Sequence, residues 1–214
     1  ISVTKMGTYS AEQIKQVLVS QGYNIPIADH LTHTVDFNKV VYLTSDNNGA
    51  LVEVSGTLLI PKVEEVFPLL SIQHGSEFHR ENVTSVKGPE IGEGLIGLIM
   101  ASLGFVTTIP DYLGYGESTA IHPYIHSQLT ATTTIDLIRA AKKHLDLKNA
   151  SLNSQLFLYG YSEGGYATLA TQKEIEQNYS DEFSITAVAP AAGPYDILET
   201  VKPGLFNRID KRRA

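Results

Sequence analysis

Gln155-Leu156-Phe157-Leu158-Tyr159-Gly160-Tyr161-Ser162-Glu163-Gly164-Gly165-Tyr166-Ala167-Thr168-Leu169-Ala170 joins an apolar run to a helical one through a glycine-flanked serine. Gln155 to Tyr161 is apolar and of strand length. Gly164 to Asn178 follows without a linker and reads as a helix. Between them stands Gly-x-Ser-x-Gly, in the strand-to-helix context that gives this pattern its meaning. The turn puts Ser162 on strained backbone angles. Side chains two residues before and two after it would collide inside the turn, so Gly160 and Gly164 are the expected elbow residues. Gly165 and Ala167 let the helix approach the sheet. The first amides of a helix lack internal partners and carry the positive end of its dipole. Ser162 is therefore the candidate catalytic nucleophile, and the Glu163 backbone N–H a candidate oxyanion donor. An incidental serine in a glycine-rich turn is the plainer alternative.

Working outward, the same strand-then-helix rhythm repeats. Phe67 to Gln73, Phe105 to Ile109, Gln155 to Tyr161 and Ser184 to Ala189 are apolar runs; Ile91 to Leu103, Leu129 to Leu147 and Gly164 to Asn178 are helical between them. That alternation predicts an α/β fold with a mostly parallel sheet and helices on both faces. Right-handed crossovers then gather the loops after Gln73, Ile109, Tyr161 and Ala189 at one edge, where such folds bind ligands. Upstream, Val40–Thr44 and Leu51–Ile60 flank the turn cluster Asp46-Asn47-Asn48-Gly49 and predict an antiparallel hairpin. Val52, Val54, Leu58 and Ile60 alternate with Glu53, Ser55 and Thr57, as burial on one side demands. Ser10 and Gln13 form a capping box for a helix ending near Gly22. The expected organisation is one domain over 1–214: a helical extension at 1–34, the hairpin at 35–61 and the parallel βα core at 66–196.

The chain has 214 residues, 43% hydrophobic and 18% charged, enough to bury a core without staples. Its net charge of −7 repels nucleic acid and anionic membranes, so no nucleic-acid partner is expected. There is no cysteine, hence no disulfide framework and no thiolate chemistry. Gly94 to Pro110 carries no charge but is shorter than the roughly 20 residues of a membrane span, and reads as a buried helix followed by a strand. His30 and His33, and His122 and His126, lack the carboxylates or cysteines that would complete a metal site, so no metal is expected. The sequon Asn149-Ala150-Ser151, like Asn82-Val83-Thr84 and Asn178-Tyr179-Ser180, matters only in a eukaryotic secretory setting.

Two further loops at the expected ligand edge carry chemistry. Gln73-His74-Gly75-Ser76 follows an apolar run and is placed to supply a second oxyanion N–H, from His74 or Gly75. His74 as the general base is the competing idea, set against the usual chain order of nucleophile, acid, histidine. Pro110-Asp111-Tyr112-Leu113-Gly114-Tyr115-Gly116-Glu117-Ser118 follows the next run. Together with Gln73-His74-Gly75, His122-Pro123-Tyr124, Gly160-Tyr161-Ser162-Glu163-Gly164-Gly165 and Gly193-Pro194-Tyr195-Asp196, this loop resembles the α/β-hydrolase group that includes the lipase-A-like secretory lipases and their bacterial relatives. The resemblance runs from about the hairpin onward, with the motifs in family order. It implies a serine esterase or lipase acting on a small-molecule or lipid ester, without cofactor or metal, in an extracellular or periplasmic location. It also implies that Asp111 and Tyr112 form a pocket floor and brace a loop, that Tyr161 belongs to the pocket, and that Tyr124 and His122 stand at its entrance. From the residues alone, Asp111 reads equally well as a turn-forming Asx residue.

One element of the chemistry is missing. After Ser162 the sequence holds Asp181, Asp196 and Asp210 but no histidine; the last is His144. Asp196 is a candidate acid, while the resemblance argues for an acid further on. A serine without its base is a poor nucleophile. Three readings stay open. The chain is part of a larger esterase, whose remaining strands, lid, acid and histidine lie outside residues 1–214, on a second polypeptide piece or further chain. Or His79 or His126 serves out of order. Or the chain is a non-catalytic binding protein that keeps the pocket. An acyltransferase or peptidase can use the same elbow. On the first reading the basic tail Arg208, Lys211, Arg212 and Arg213 does not close a domain, and the last strand is an open edge prone to self-association.

Overall fold

The computed structural model describes residues 1–148, 152–197 and 199. The sequon at Asn149 and the tail from Arg208 lie outside these described residues. Among these residues seven strands form one mixed sheet in the order β1-β2-β3-β5-β4-β6-β7. They are β1 Ser2–Tyr9, β2 Val35–Ser45, β3 Leu51–Pro61, β4 Phe67–Gln73, β5 Val106–Pro110, β6 Leu152–Tyr161 and β7 Ile185–Ala191. The helices are α1 Ala11–Ser20, α2 Thr84–Lys87, α3 Gly94–Ser102, α4 Ser127–Leu147 and α5 Glu163–Asn178. β4 pairs in parallel with β5 and β6, and β6 with β7. The expected α/β fold, with helices on both faces of the sheet, is present.

The local signals explain most of these elements. Ser10 Oγ accepts from the Gln13 amide at 3.2 Å and Gln13 Oε1 accepts from the Ser10 amide at 2.8 Å, closing the capping box that starts α1. Asp46 Oδ1 accepts from the amides of Asn48 and Ala50 at 2.8 and 2.9 Å and shapes the hairpin turn. β2 and β3 then pair in an unbroken antiparallel register from Val35–Pro61 to Ser45–Leu51. Alternation sends Leu58 to one face and Leu59 to the other. Leu58 joins Val40, Leu69, Ile135, Leu137 and Ile175 beneath α4 and α5. Leu59 joins Ile14, Leu18, Phe37, Leu98 and Ile109 beneath α1 and α3. The uncharged run from Gly94 is α3 followed by β5, and no helix among the described residues is long and apolar enough to cross a membrane.

Two expectations need correction. Residues 1–34 are not simply a helical extension: β1 precedes α1 and pairs antiparallel with β2, and a 3-10 turn follows at Pro26–His30. β1 is mostly polar and lies at the sheet's edge, so backbone pairing forms it with little apolar signal. β3 is not buried on one side only. Ser55 and Thr57 are fully buried. Thr57 Oγ1 meets Thr84 Oγ1 of α2 at 3.2 Å, and Ser55 donates to Asp111 at 2.6 Å, so polar layers cover the face that alternation assigned to water.

Candidate active site

The four parallel strands end together, bringing His74, Asp111, Ser162 and Ala192 to one edge. Ser162 occupies the N-cap position of α5 with φ 58° and ψ −124°. A non-glycine residue held there stores about 1–3 kcal/mol of strain, which the surroundings must impose. They do so through backbone contacts. The Ser162 amide donates to the Ala191 carbonyl at 2.9 Å, and the Ser162 carbonyl accepts from the Tyr166 amide at 3.2 Å. A side-chain carbon on Gly164 would lie 2.0 Å from the Gln73 carbonyl oxygen, and one on Gly160 would lie 2.2 Å from that of Gly164. Both neighbours are backbone and cannot swing aside, so both positions require glycine.

Around this turn the side chains sort into buried scaffold and exposed rim. Gly75 is next to Ser162: a side-chain carbon there would lie 3.8 Å from Ser162 Cβ. Its amide donates to Glu93 Oε1 at 2.9 Å. His74 is buried, with Nδ1 at 2.7 Å from the Gly75 carbonyl and Nε2 at 3.1 Å from the Asp111 carbonyl, and its ring stacks on Tyr112 at 4.3 Å between centroids. Both ring nitrogens are engaged with backbone, which argues against His74 as a base. Tyr112 has φ 69° and donates its hydroxyl to the His74 carbonyl at 3.2 Å. Tyr124 and Tyr161 are exposed, at 58% and 57%, and the Tyr124 hydroxyl lies 3.2 Å from Ser76 Oγ.

Asp111 and Tyr112 thus do not face an open pocket. Both are fully buried and brace the loops from below. Asp111 Oδ2 takes the hydroxyls of Ser55 and Ser85, joining β3 and α2 to the end of β5. Burial pushes the Asp111 carboxyl above the usual carboxylate range, against those two hydrogen bonds, which favour the anion. Two clefts of about 570 and 550 Å3 lie at the opposite edge, around Ile60, Glu64 and Lys148.

All seven histidines are among the described residues, and none hydrogen-bonds Ser162. His79 is exposed, and His126 caps α4 by accepting from the Leu129 amide at 3.4 Å. His122 places Nδ1 at 2.9 Å from the Leu113 carbonyl and Nε2 at 2.9 Å from Glu163 Oε1. Asp196 is exposed, and its Oδ1 accepts from the Glu199 amide at 3.0 Å, the contact of a turn-capping residue. No group of three or more His, Cys, Asp or Glu stands together as a metal site among the described residues. Sequence reasoning missed Glu93, Ser55, Ser85 and the His122–Glu163 pair. These partners come from elements distant in sequence and leave no local pattern.

Comparison with known proteins adds to this geometry. The secretory lipase family model matches residues 93–204. A crystal structure of the rice cell wall degrading esterase LipA from Xanthomonas oryzae, an N228W mutant, is 33% identical with a TM-score of 0.82, over 94% of this chain and 51% of that one. A putative hydrolase from Legionella pneumophila is 29% identical with a TM-score of 0.80, over 91% of this chain and 52% of that one. Lipase A from Candida antarctica, 18% identical with a TM-score of 0.59 over 88% of this chain and 41% of that one, shares the fold. The chain therefore spans about half the length of the two bacterial proteins. No curated protein sequence matches it.

Proposed function

The chain belongs to the secretory lipase family, and on that premise we propose that it is a serine hydrolase that cleaves carboxylic esters through an acyl-enzyme on Ser162. The observation that carries this is the backbone of Ser162: φ 58° at the start of α5, in a turn whose two flanking glycines admit no side chain. Ser162 stands where the parallel strands end, and the first amides of α5 follow it directly. Attack on an ester carbonyl forms the Oγ–C bond, passes the hydroxyl proton to the base and moves the carbonyl electrons onto oxygen; their return breaks the bond to the alcohol, which leaves with a proton from the base. The Glu163 N–H, first in α5, is placed to receive that oxyanion, with the helix dipole behind it. The second donor comes from the His74–Gly75 backbone; for Gly75 to serve, the Glu93 carboxylate must give up its amide. We place the acid and the base outside residues 1–214, because no histidine here reaches Ser162. The family also suggests a site of action outside the cytoplasm.

Ser162→Ala tests this directly. Hydrolysis of p-nitrophenyl butyrate by the natural full chain should fall by at least about a thousandfold, with the thermal melt unchanged. Equal turnover by the variant would remove Ser162 from the mechanism. The missing histidine favours a second reading, a protein that binds esters without cleaving them. That reading expects no turnover from the parent either.

The partner of the sheet is also a proposal. Among the described residues β7 pairs only with β6, and Thr186, Ala187 and Ala189 are exposed. We propose that further chain, a second polypeptide or a second copy covers this edge. Light scattering behind size-exclusion chromatography, on protein confirmed by mass as residues 1–214, should show self-association or a bound second piece. A monodisperse, cooperatively melting monomer would contradict it.

A further inference from the structure

His122 reaches across 41 residues to Glu163, the residue that follows Ser162 and begins α5. Their side chains are 14% and 3% exposed. Glu163 Oε2 is buried and has no hydrogen-bond partner among the described residues. The ring is fixed from several sides. It lies 4.5 Å from Tyr115 and 6.1 Å from Tyr124 between centroids, and its backbone packs so close to Gly114 that a side-chain carbon there would sit 2.4 Å from the His122 nitrogen.

The hydrogen bonds fix the proton count. The Leu113 carbonyl can only accept, so His122 Nδ1 carries a hydrogen. A hydrogen bond between Nε2 and Oε1, 2.9 Å apart, then requires one more proton, on the ring or on the carboxyl. The pair is an imidazolium with a carboxylate, or a neutral imidazole with a carboxylic acid. Its net charge is zero either way.

That neutrality matters because of where Glu163 sits. Its own amide begins α5. A bare buried carboxylate at that point would draw the positive end of the helix to itself and oppose a second negative charge forming on the substrate. We propose that His122 is a positioning residue that keeps the Glu163 side chain neutral as a pair, leaving the N-terminus of α5 free for the oxyanion. This rests on the reading of Ser162 as the nucleophile. It assigns His122 a role in sustaining the reaction without touching substrate.

The test is a double-substitution cycle in the natural full chain, read as kcat and KM on p-nitrophenyl butyrate and as the rate of Ser162 labelling by a fluorophosphonate. His122→Ala strands the carboxylate. It should lower kcat by about a hundredfold, the scale of losing one oxyanion donor, with KM changed by less than about threefold. Glu163→Gln removes the charge and should lower kcat by no more than about tenfold, less than a lost oxyanion donor costs. The central expectation is sign reversal. His122→Ala with Glu163→Gln should be faster than His122→Ala alone, because the second change removes the uncompensated charge. A purely structural pair predicts the reverse, with the double variant as slow as or slower than the single. If His122→Ala does not fold, His122→Gln serves in its place, since glutamine donates a hydrogen bond but no charge. A double variant no faster than the single, or a single variant with the parent's kcat, overturns the proposal. Ser162→Ala run alongside separates the two levels. If it turns over ester as fast as the parent, or if the parent neither turns over ester nor takes the probe, the esterase reading falls and the proposal with it.

Discussion

The turn after β6 and the loop after β5 leave the sheet at the same edge, separated only by β4, and are held by different means. The β6–α5 turn is held by backbone: Ser162 has φ 58°, its amide and carbonyl are both hydrogen-bonded to backbone, and carbonyls stand where side chains at Gly160 and Gly164 would go. The loop after β5 is held by side chains. Asp111 gathers Ser55 and Ser85, the Glu117 amide donates to Ser55 Oγ at 3.0 Å, and Tyr112 reaches the His74 carbonyl. A turn set by backbone sterics tolerates no change at its glycines. A loop set by a polar network loses strength one hydrogen bond at a time.

Substitutions in the two regions should therefore differ sharply. The largest effect belongs to Gly164→Val. Its side chain meets a fixed carbonyl and the domain must open to accept it, costing about 3 kcal/mol or more in urea unfolding. A Gly164→Val protein as stable as the parent would show that the turn is not held as described. Next comes Ser55→Ala, which removes one donor from buried Asp111 and should cost roughly 1–3 kcal/mol in the same measurement. A cost as large as that of Gly164→Val would erase the distinction between the two regions.

The smallest effect is a pH dependence. Burial raises the Asp111 pKa, so the folded protein keeps this proton to higher pH than the unfolded chain. Its contribution to stability is complete below the ordinary value of about 3.9 and is lost as pH rises through the folded pKa. The stability of the parent relative to Asp111→Asn should accordingly fall as pH rises from about 4, then level off. A difference that grows with pH would mean that the hydrogen bonds from Ser55 and Ser85 outweigh burial.

The same contrast explains what could be read from the sequence. The β6–α5 turn was legible because backbone sterics select glycine at fixed offsets from one serine, all within five residues. The parallel core was legible because strands covered on both faces are nearly continuous apolar runs, as Phe67–Gln73 is. The network under Asp111 was not, because Ser55 lies 56 residues away and Ser85 lies 26, and neither is distinguishable from a surface serine. Alternation in β3 even pointed Ser55 to water. Glu93 was hidden for the same reason: it reaches Gly75 across 18 residues by a single hydrogen bond. β1 escaped because an edge strand with few buried residues has almost no apolar signature.

Ester cleavage by this chain requires the strained turn to present Ser162 as a nucleophile. The most direct test treats the natural full chain with a fluorophosphonate and locates the added mass by peptide mapping. One label is expected, on Ser162, formed in step with loss of p-nitrophenyl ester hydrolysis and absent from Ser162→Ala. Hydrolysis that survives complete labelling of Ser162, or inactivation with the label on another residue, would contradict it.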